Sequence, residues 1–349
     1  MGAMVSLVAV LVLILAALVG VKVLSLQVLF GVIVPYLAVL TFFVGFILRI
    51  LKWARVPVPF HIPTTCGQQK SLPWIHYSKI ESPAGTGGVI VRMAMEVLLF
   101  RSLFRNLKTE LHEGPRLAYG WEKWLWLGGF VFHWSFFIVL LRHLRFFTNP
   151  VPGLVKMLDA VDGFLQIGSP HMLMTGVTLL LAATYLLIRR FYIPQVRYIS
   201  LPADYFPLFL IIGIASTGII MRYFLKVDII KVKELTLGLA SLSPKVPDGI
   251  GTIFYIHLFL ISTLFAYFPF SKLVHLGGVF LSPTRNLANN SRMKRHVNPW
   301  NYPVKVHTYE EYEEEFREKM KMAGIPVEKD EPETTETTEE ASEESEGKE

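Results

Sequence analysis

The sequence predicts an all-α integral membrane protein, a six-helix transmembrane bundle. Three observations carry this. Hydrophobic residues make up 52% of the 349 and charged residues only 18%, with a mean hydropathy of +0.44, which is too apolar for an ordinary soluble domain. Six runs approach or exceed the roughly 20 apolar residues that cross a bilayer. Four of the ten histidines fall inside those runs, where ionisable side chains are costly and rare.

Taken in order, the spans are expected near 4–24, 27–51, 124–146, 169–190, 203–225 and 251–276. The first lacks a basic leading region and reads as a retained helix rather than a cleaved signal. Between the second and third spans lies a long segment, 52–123. It opens with "ARVPVPFHIPTTCGQQKSLPWI", whose four prolines forbid a long helix. It continues with "GGVIVRMAMEVLLFRSLFRNLKTEL", apolar at helical spacing but carrying Arg92, Arg101 and Arg105. That pattern suits one amphipathic helix lying at the membrane surface or against a partner subunit. After the last span, 277–325 reads as a polar segment in which "YEEYEEEFREKMKMAG" forms a short exposed helix ending at Gly324. The tail 326–349 is acidic and of low complexity, a composition that does not fold alone.

Charge gives the orientation. Residues 1–308 carry 29 basic against 11 acidic groups, while 309–349 hold 17 of the 28 acids. The basic groups are scattered around the spans rather than gathered on one soluble face, which argues against nucleic acid and for anionic lipid. The segments 52–123, 189–202 and 277–308 hold ten, three and five Lys and Arg, against one in 147–168 and four in 226–250, and the positive-inside rule places the first three together in the cytoplasm. Both termini are then cytoplasmic, in an inner membrane. Cys66 is the sole cysteine, so an internal disulfide, c-type haem attachment and four-cysteine iron–sulfur ligation are excluded.

The four histidines lie on two spans, His133 and His143 on the third, His257 and His275 on the sixth. Ten residues advance about 15 Å along a helix; eighteen advance about 27 Å in five whole turns, which puts His257 and His275 on one face. The two spans run in opposite directions, so depth matches His133 with His275 and His143 with His257. Paired neutral imidazoles are metal ligands from opposite sides. The simplest account is two bis-histidine haems b, with helix tilt absorbing the unequal rises. A metal or proton transporter is the rival of another class, and it would normally place Asp or Glu beside the histidines; these two spans have none inside. Arg142, Arg145 and Arg222 at the outer end, and Lys272 and Arg285 at the inner end, are candidate partners for haem propionates or interfacial snorkelling residues. His171 and Lys156, on the outer side, are candidates to hydrogen-bond a quinone.

The histidine spacings, with "PFSKLVHLGG" around His275, resemble the cytochrome b (gamma) subunits of respiratory nitrate reductases over roughly residues 27–285. The segments "PFHIPTTCGQQKSLPWI" and "RYISLPADYFPLFL" resemble more specifically the membrane subunits (DsrM) of complexes associated with dissimilatory sulfite reduction. The resemblance implies two haems b, ligated by the same histidine pairs, and menaquinol as electron donor or acceptor. It implies a cytoplasmic iron–sulfur subunit of the heterodisulfide-reductase type as partner. It further implies an assembly with a second quinone-interacting membrane subunit, a multihaem cytochrome c and a ferredoxin-like subunit. The "TTCGQQ" segment near Cys66 is a candidate docking surface for that partner, against the plainer reading of Cys66 as a small buried residue. The cytochrome b subunit of a heterodisulfide reductase is an alternative with the same chemistry. The gamma family has five spans, and here a sixth precedes them.

Overall fold

The structure, a computed structural model, describes residues 2–57, 67–114, 116–165, 167–293 and 306–328. Cys66 and the tail from 329 lie outside the described residues, as do residues 58–65 of the proline-rich stretch and residues 294–305. Residues 1–296 and 297–349 form separate compact units.

The first unit opens with α1 (Gly2–Lys22), whose buried Ser6 donates its hydroxyl to the Pro202 carbonyl at 2.8 Å. A π-helical turn (Leu29–Ile33) leads into α2 (Val34–Ala54). Then come α3 (Thr86–Leu99), the single turn α4 (Arg101–Phe104), and a two-stranded antiparallel hairpin of β1 (Leu107–His112) and β2 (Arg116–Trp121). The expected single surface helix is thus corrected. It stops at Leu99 because Phe100 takes a left-handed conformation (φ 50°), and its last part, Leu107 onward, is strand. The hairpin signal is local: "HEGP" is a turn composition between two segments of strand length.

Seven helices follow: α5 (Lys123–His143), α6 (Gly153–Asp162), α7 (Met174–Tyr192), the short α8 (Pro194–Ile199), α9 (Pro202–Ile219) prolonged by a π turn (Ile220–Phe224), α10 (Ile229–Ala240) and α11 (Thr252–Tyr267). The short helices α12 (His275–Leu281) and α13 (Pro283–Asn286) end the unit. Six helices among the described residues are long and apolar enough to cross a membrane: 2–22, 29–54, 123–146, 174–192, 202–224 and 252–270.

Two boundaries differ from expectation for covalent reasons. The fourth span starts at Met174, not near 169, because Gly168 sits at φ 78° and Pro170 biases its predecessor away from helix. The sixth ends at Phe270, not 276. Pro269 lacks an amide donor and its ring obstructs the preceding turn; the chain passes through 3-10 turns at Phe268–Phe270 and Lys272–Val274 before α12 starts at His275.

Packing in lipid rests on close contact and small residues rather than on expulsion of water. Ala17, Ala183, Leu210 and Leu260 are wholly buried where α1, α7, α9 and α11 meet. Helix α5 packs along α7, α7 along α9, and α9 along α1 and α11, with α2 on the far side of α11. The histidine-bearing α5 and α11 are not closely packed neighbours, so their facing side chains have space between them.

The second unit holds α14 (Tyr309–Met322), opened by a Thr308–Glu311 capping box and followed by Gly324 at φ 69°. Glu313 is buried in it and accepts from the Glu328 amide at 2.8 Å.

Candidate functional site

The four span histidines come together in two pairs. The rings of His133 and His275 are 5.9 Å apart between centres and nearly perpendicular, at 86°. Those of His143 and His257 are 6.5 Å apart and nearly parallel, at 23°. The break after α11 supplies what a straight helix would not. Because His275 starts a new helix, its distance from His257 is not an 18-residue helical rise, and helix tilt is not needed to reconcile the two spacings.

Each imidazole is tied through the same nitrogen. Nδ1 of His133 meets the Gly129 carbonyl at 2.7 Å, and Nδ1 of His143 meets the Val139 carbonyl at 2.7 Å. Both partners are four residues back on the same helix. His275 Nδ1 meets the Lys272 carbonyl at 2.9 Å, and His257 Nδ1 meets the Thr217 hydroxyl on α9 at 2.8 Å. A carbonyl accepts only, so three of the four rings carry the proton on Nδ1 and leave Nε2 with a lone pair. Such a bond to the far ring nitrogen is the usual support of a metal-ligating histidine. A metal held between two imidazole nitrogens at about 2 Å from each puts the ring centres about 6 Å apart. Both pairs meet that spacing.

Among the described residues no three His, Cys, Asp or Glu side chains come together. Each pair therefore offers two imidazole ligands and no more, a donor set suited to a metal whose other ligands come from a planar macrocycle. Haem fits the residues present. Gly218 adds room on α9, since a Cβ there would lie 3.3 Å from Cε1 of His257. On the other pair, the Phe100 ring lies 5.0 Å from His133.

Of the charged candidates, Arg142 is buried among acids. It pairs with Asp162 and with Asp159 (3.3 Å), and donates to the Thr175 hydroxyl at 2.9 Å. Arg145 pairs with Asp159 at 2.7 Å. These contacts tie α5 to α6 and α7. At the other end, Lys272 pairs with Asp204 at 2.6 Å, and Arg285 bonds the Ser102 hydroxyl and lies 3.4 Å from Glu96. Arg222 differs: it sits on the π turn one helical turn past Gly218, with its Nε buried and unpartnered and an Nη2 3.5 Å from the His171 carbonyl. The His171 ring covers Gly163, where a Cβ would collide with it.

Thr217 and the Asp159–Asp162 pair were not singled out from the sequence. The aspartates had a signal, since Arg142 and Arg145 are three apart and so are Asp159 and Asp162, which matches them as facing ladders on two helices. Thr217 had none, because only the fold brings α9 to α11 at that point.

The family model for the nitrate reductase gamma subunit matches residues 119–296. The chain belongs to the nitrate reductase gamma subunit family. The gamma-family match includes all four paired histidines and starts within β2, so α1, α2 and α3 precede it. The chain is also 45% identical over 273 residues to the Hdr-like menaquinol oxidoreductase cytochrome b-like subunit of Archaeoglobus fulgidus, covering 76% of this chain and 81% of that protein. It is 41% identical to the same-named subunit of Archaeoglobus profundus, with the same coverage.

Proposed function

We propose that this protein is the dihaem cytochrome b subunit of a respiratory complex, exchanging electrons between menaquinol and a cytoplasmic iron–sulfur subunit of the heterodisulfide-reductase type. The observation that carries it is the two histidine pairs, with ring centres 5.9 and 6.5 Å apart and each ring steadied through Nδ1. Two haems b bound there would supply one-electron carriers at two depths of the bilayer. His133 with His275 would hold one haem, and His143 with His257 the other. Thr217 fixes the orientation of His257. Arg222, with a buried donor to spare, is the propionate partner at the outer pair. Arg142 and Arg145 act as ties between helices. The names of the two Archaeoglobus relatives support menaquinol and a heterodisulfide-reductase-like assembly.

The finer reading places the complex in dissimilatory sulfite reduction. Its other members are a second quinone-interacting membrane subunit, a multihaem cytochrome c and a ferredoxin-like subunit. The basic segments 52–123 and 277–325 face the cytoplasm and dock the iron–sulfur partner. Quinol reacts at the outer pair, beside His171.

The deciding experiment is a visible spectrum of the purified full-length protein with haem extraction, expected to give reduced b-type bands and two haems per chain. Alanine at any one of the four histidines should remove or alter one haem and leave the other. Absence of b-type bands, or unperturbed spectra in all four variants, overturns the reading. His171→Phe should slow haem reduction by a menaquinol analogue and leave dithionite reduction normal. A polar contact of about 1–3 kcal/mol corresponds to roughly 5- to 150-fold in binding.

A further inference from the structure

A second feature stands apart from the histidine pairs, on the opposite side of α11. Helix α2 carries two cations near its end: Arg49, five residues before the end of the helix at Ala54, and Lys52 one turn on. Both line an open groove of about 490 Å³ that runs between α2 and the turn at Phe268–Phe270. Val44 and Leu48 form one wall, Pro269 and Phe270 the other. The floor is Gly45, where a Cβ would sit 2.8 Å from that of Pro269. The walls face outward: Val44, Leu48 and Phe270 are all exposed.

Lys52 is exposed, but Arg49 has not simply reached for water. Arg49 lies against its own helix, with Cζ 5.4 Å from the Trp53 ring centre, and its Nε is buried with no hydrogen-bond partner among the described residues. A snorkelling arginine extends its head into solvent; this one keeps a buried, unpartnered Nε and lines an apolar groove. An ionisable group in a span calls for a named partner. Among the described residues no carboxylate pairs with Arg49.

We propose that this groove binds one anionic phospholipid, with its phosphate on Arg49 and Lys52 and an acyl or isoprenoid chain along Val44, Leu48 and Phe270. Guanidinium and phosphate form strong charge-assisted hydrogen bonds, and basic pockets between spans are a recurrent headgroup site. An apolar trough continuous with two cations matches a lipid, which has both parts. Free phosphate would use only the cations.

The test is native mass spectrometry of the full-length protein released from nanodiscs of phosphatidylglycerol or phosphatidylcholine. Wild type should retain phosphatidylglycerol in preference by about 30-fold, from roughly 5-fold per cation at the headgroup surface. Arg49→Gln with Lys52→Gln should abolish the preference. Val44→Trp, which fills the groove from an exposed position and leaves both cations, should lower retention of the lipid. The haem spectrum and melting temperature report that each variant is folded. Equal retention of the two lipids by wild type, or a preference unchanged in the double variant, overturns the proposal. So does retention unchanged by Val44→Trp, which would mean adsorption to the cations alone. Recovery of menaquinone in place of phospholipid, lost in the double variant, would make the groove a quinone site instead.

Discussion

At the scale of single residues, the second nitrogen of each imidazole is the informative atom. His257 alone takes its support from another helix, through Thr217, so its orientation can be changed without touching α11. Thr217→Val keeps the shape and removes the hydroxyl. Loss of such a support costs about 10- to 100-fold in metal affinity. On the proposed dihaem reading, the variant is expected to lose haem from the His143–His257 pair preferentially during dilution, followed by its α-band, while the haem of the other pair stays. Equal loss from both would remove Thr217 from this role. The ring planes make a separate prediction. Were a haem iron held in each pair, parallel imidazole planes would act on one of its two π orbitals and split their energies, and perpendicular planes on both alike. The His143–His257 pair, at 23°, should give a rhombic ferric low-spin resonance, and the His133–His275 pair, at 86°, a strongly anisotropic one. Electron paramagnetic resonance of the ligand variants, in which one signal disappears at a time, would assign them. Two rhombic signals would contradict the geometry.

At the scale of elements, the ties between helices are ionic where the chain turns. Asp162 is almost wholly buried. It accepts from Arg142 and from both the amide and hydroxyl of Thr175, joining α6 to α5 and α7. Breaking a buried pair from one side typically costs about 3–5 kcal/mol because the partner charge is left uncompensated. Asp162→Ala should therefore lower the melting temperature well beyond a surface substitution such as Lys156→Ala, by thermal unfolding in detergent; equal effects would show that the network is not structural. At the other end, Glu81 pairs with Arg101 (2.9 Å) and with Arg105, holding α4 to the segment before α3. Burial alone would raise the Glu81 pKa, but the Arg105 and Arg101 guanidiniums outweigh it and hold the carboxyl below its ordinary value. A depressed folded-state pKa gives stability that is present above the unfolded-state pKa and lost as pH falls through the folded one. The α3–α4 region should accordingly keep its amide protection at neutral pH and lose it on acidification below about pH 4. Glu81→Gln should flatten that dependence. Hydrogen exchange over 86–105 measures it, and an identical acid profile in the variant would refute the assignment.

On the scale of the whole molecule, the ends of the bundle are distinguished by what joins them. Arg189 pairs with Glu122 at 3.0 Å, Lys272 with Asp204, and the α1 start packs on Pro202. The beginnings of α1, α5 and α9 therefore share one end with the chain after α11, and this is the end the positive-inside rule assigns to the cytoplasm. Protease added to sealed right-side-out cells should leave the acidic tail intact. Cleavage there would invert the proposed orientation and, with it, the placing of the quinol site.

How much of this was legible in the sequence follows from the range of each interaction. Hydropathy and span length are properties of consecutive residues, so the six membrane-crossing helices, and the histidines within two of them, could be read directly. Pairing by depth needed only helical rise and antiparallel order, and the structure brings together the same two pairs. The physical basis of that pairing was not legible. A helical count treats 251–276 as one rod, whereas Pro269 ends the rod and lets His275 begin again elsewhere. The left-handed Phe100 that stops α3, the Thr217 hydroxyl beneath His257 and the carboxylates that occupy Arg142 are also decided by neighbours distant in sequence. Local covalent chemistry and the bilayer determine which segments cross. Which nitrogen is tied, which arginine is left a free donor and where a helix yields depend on side chains that meet only once the bundle has packed.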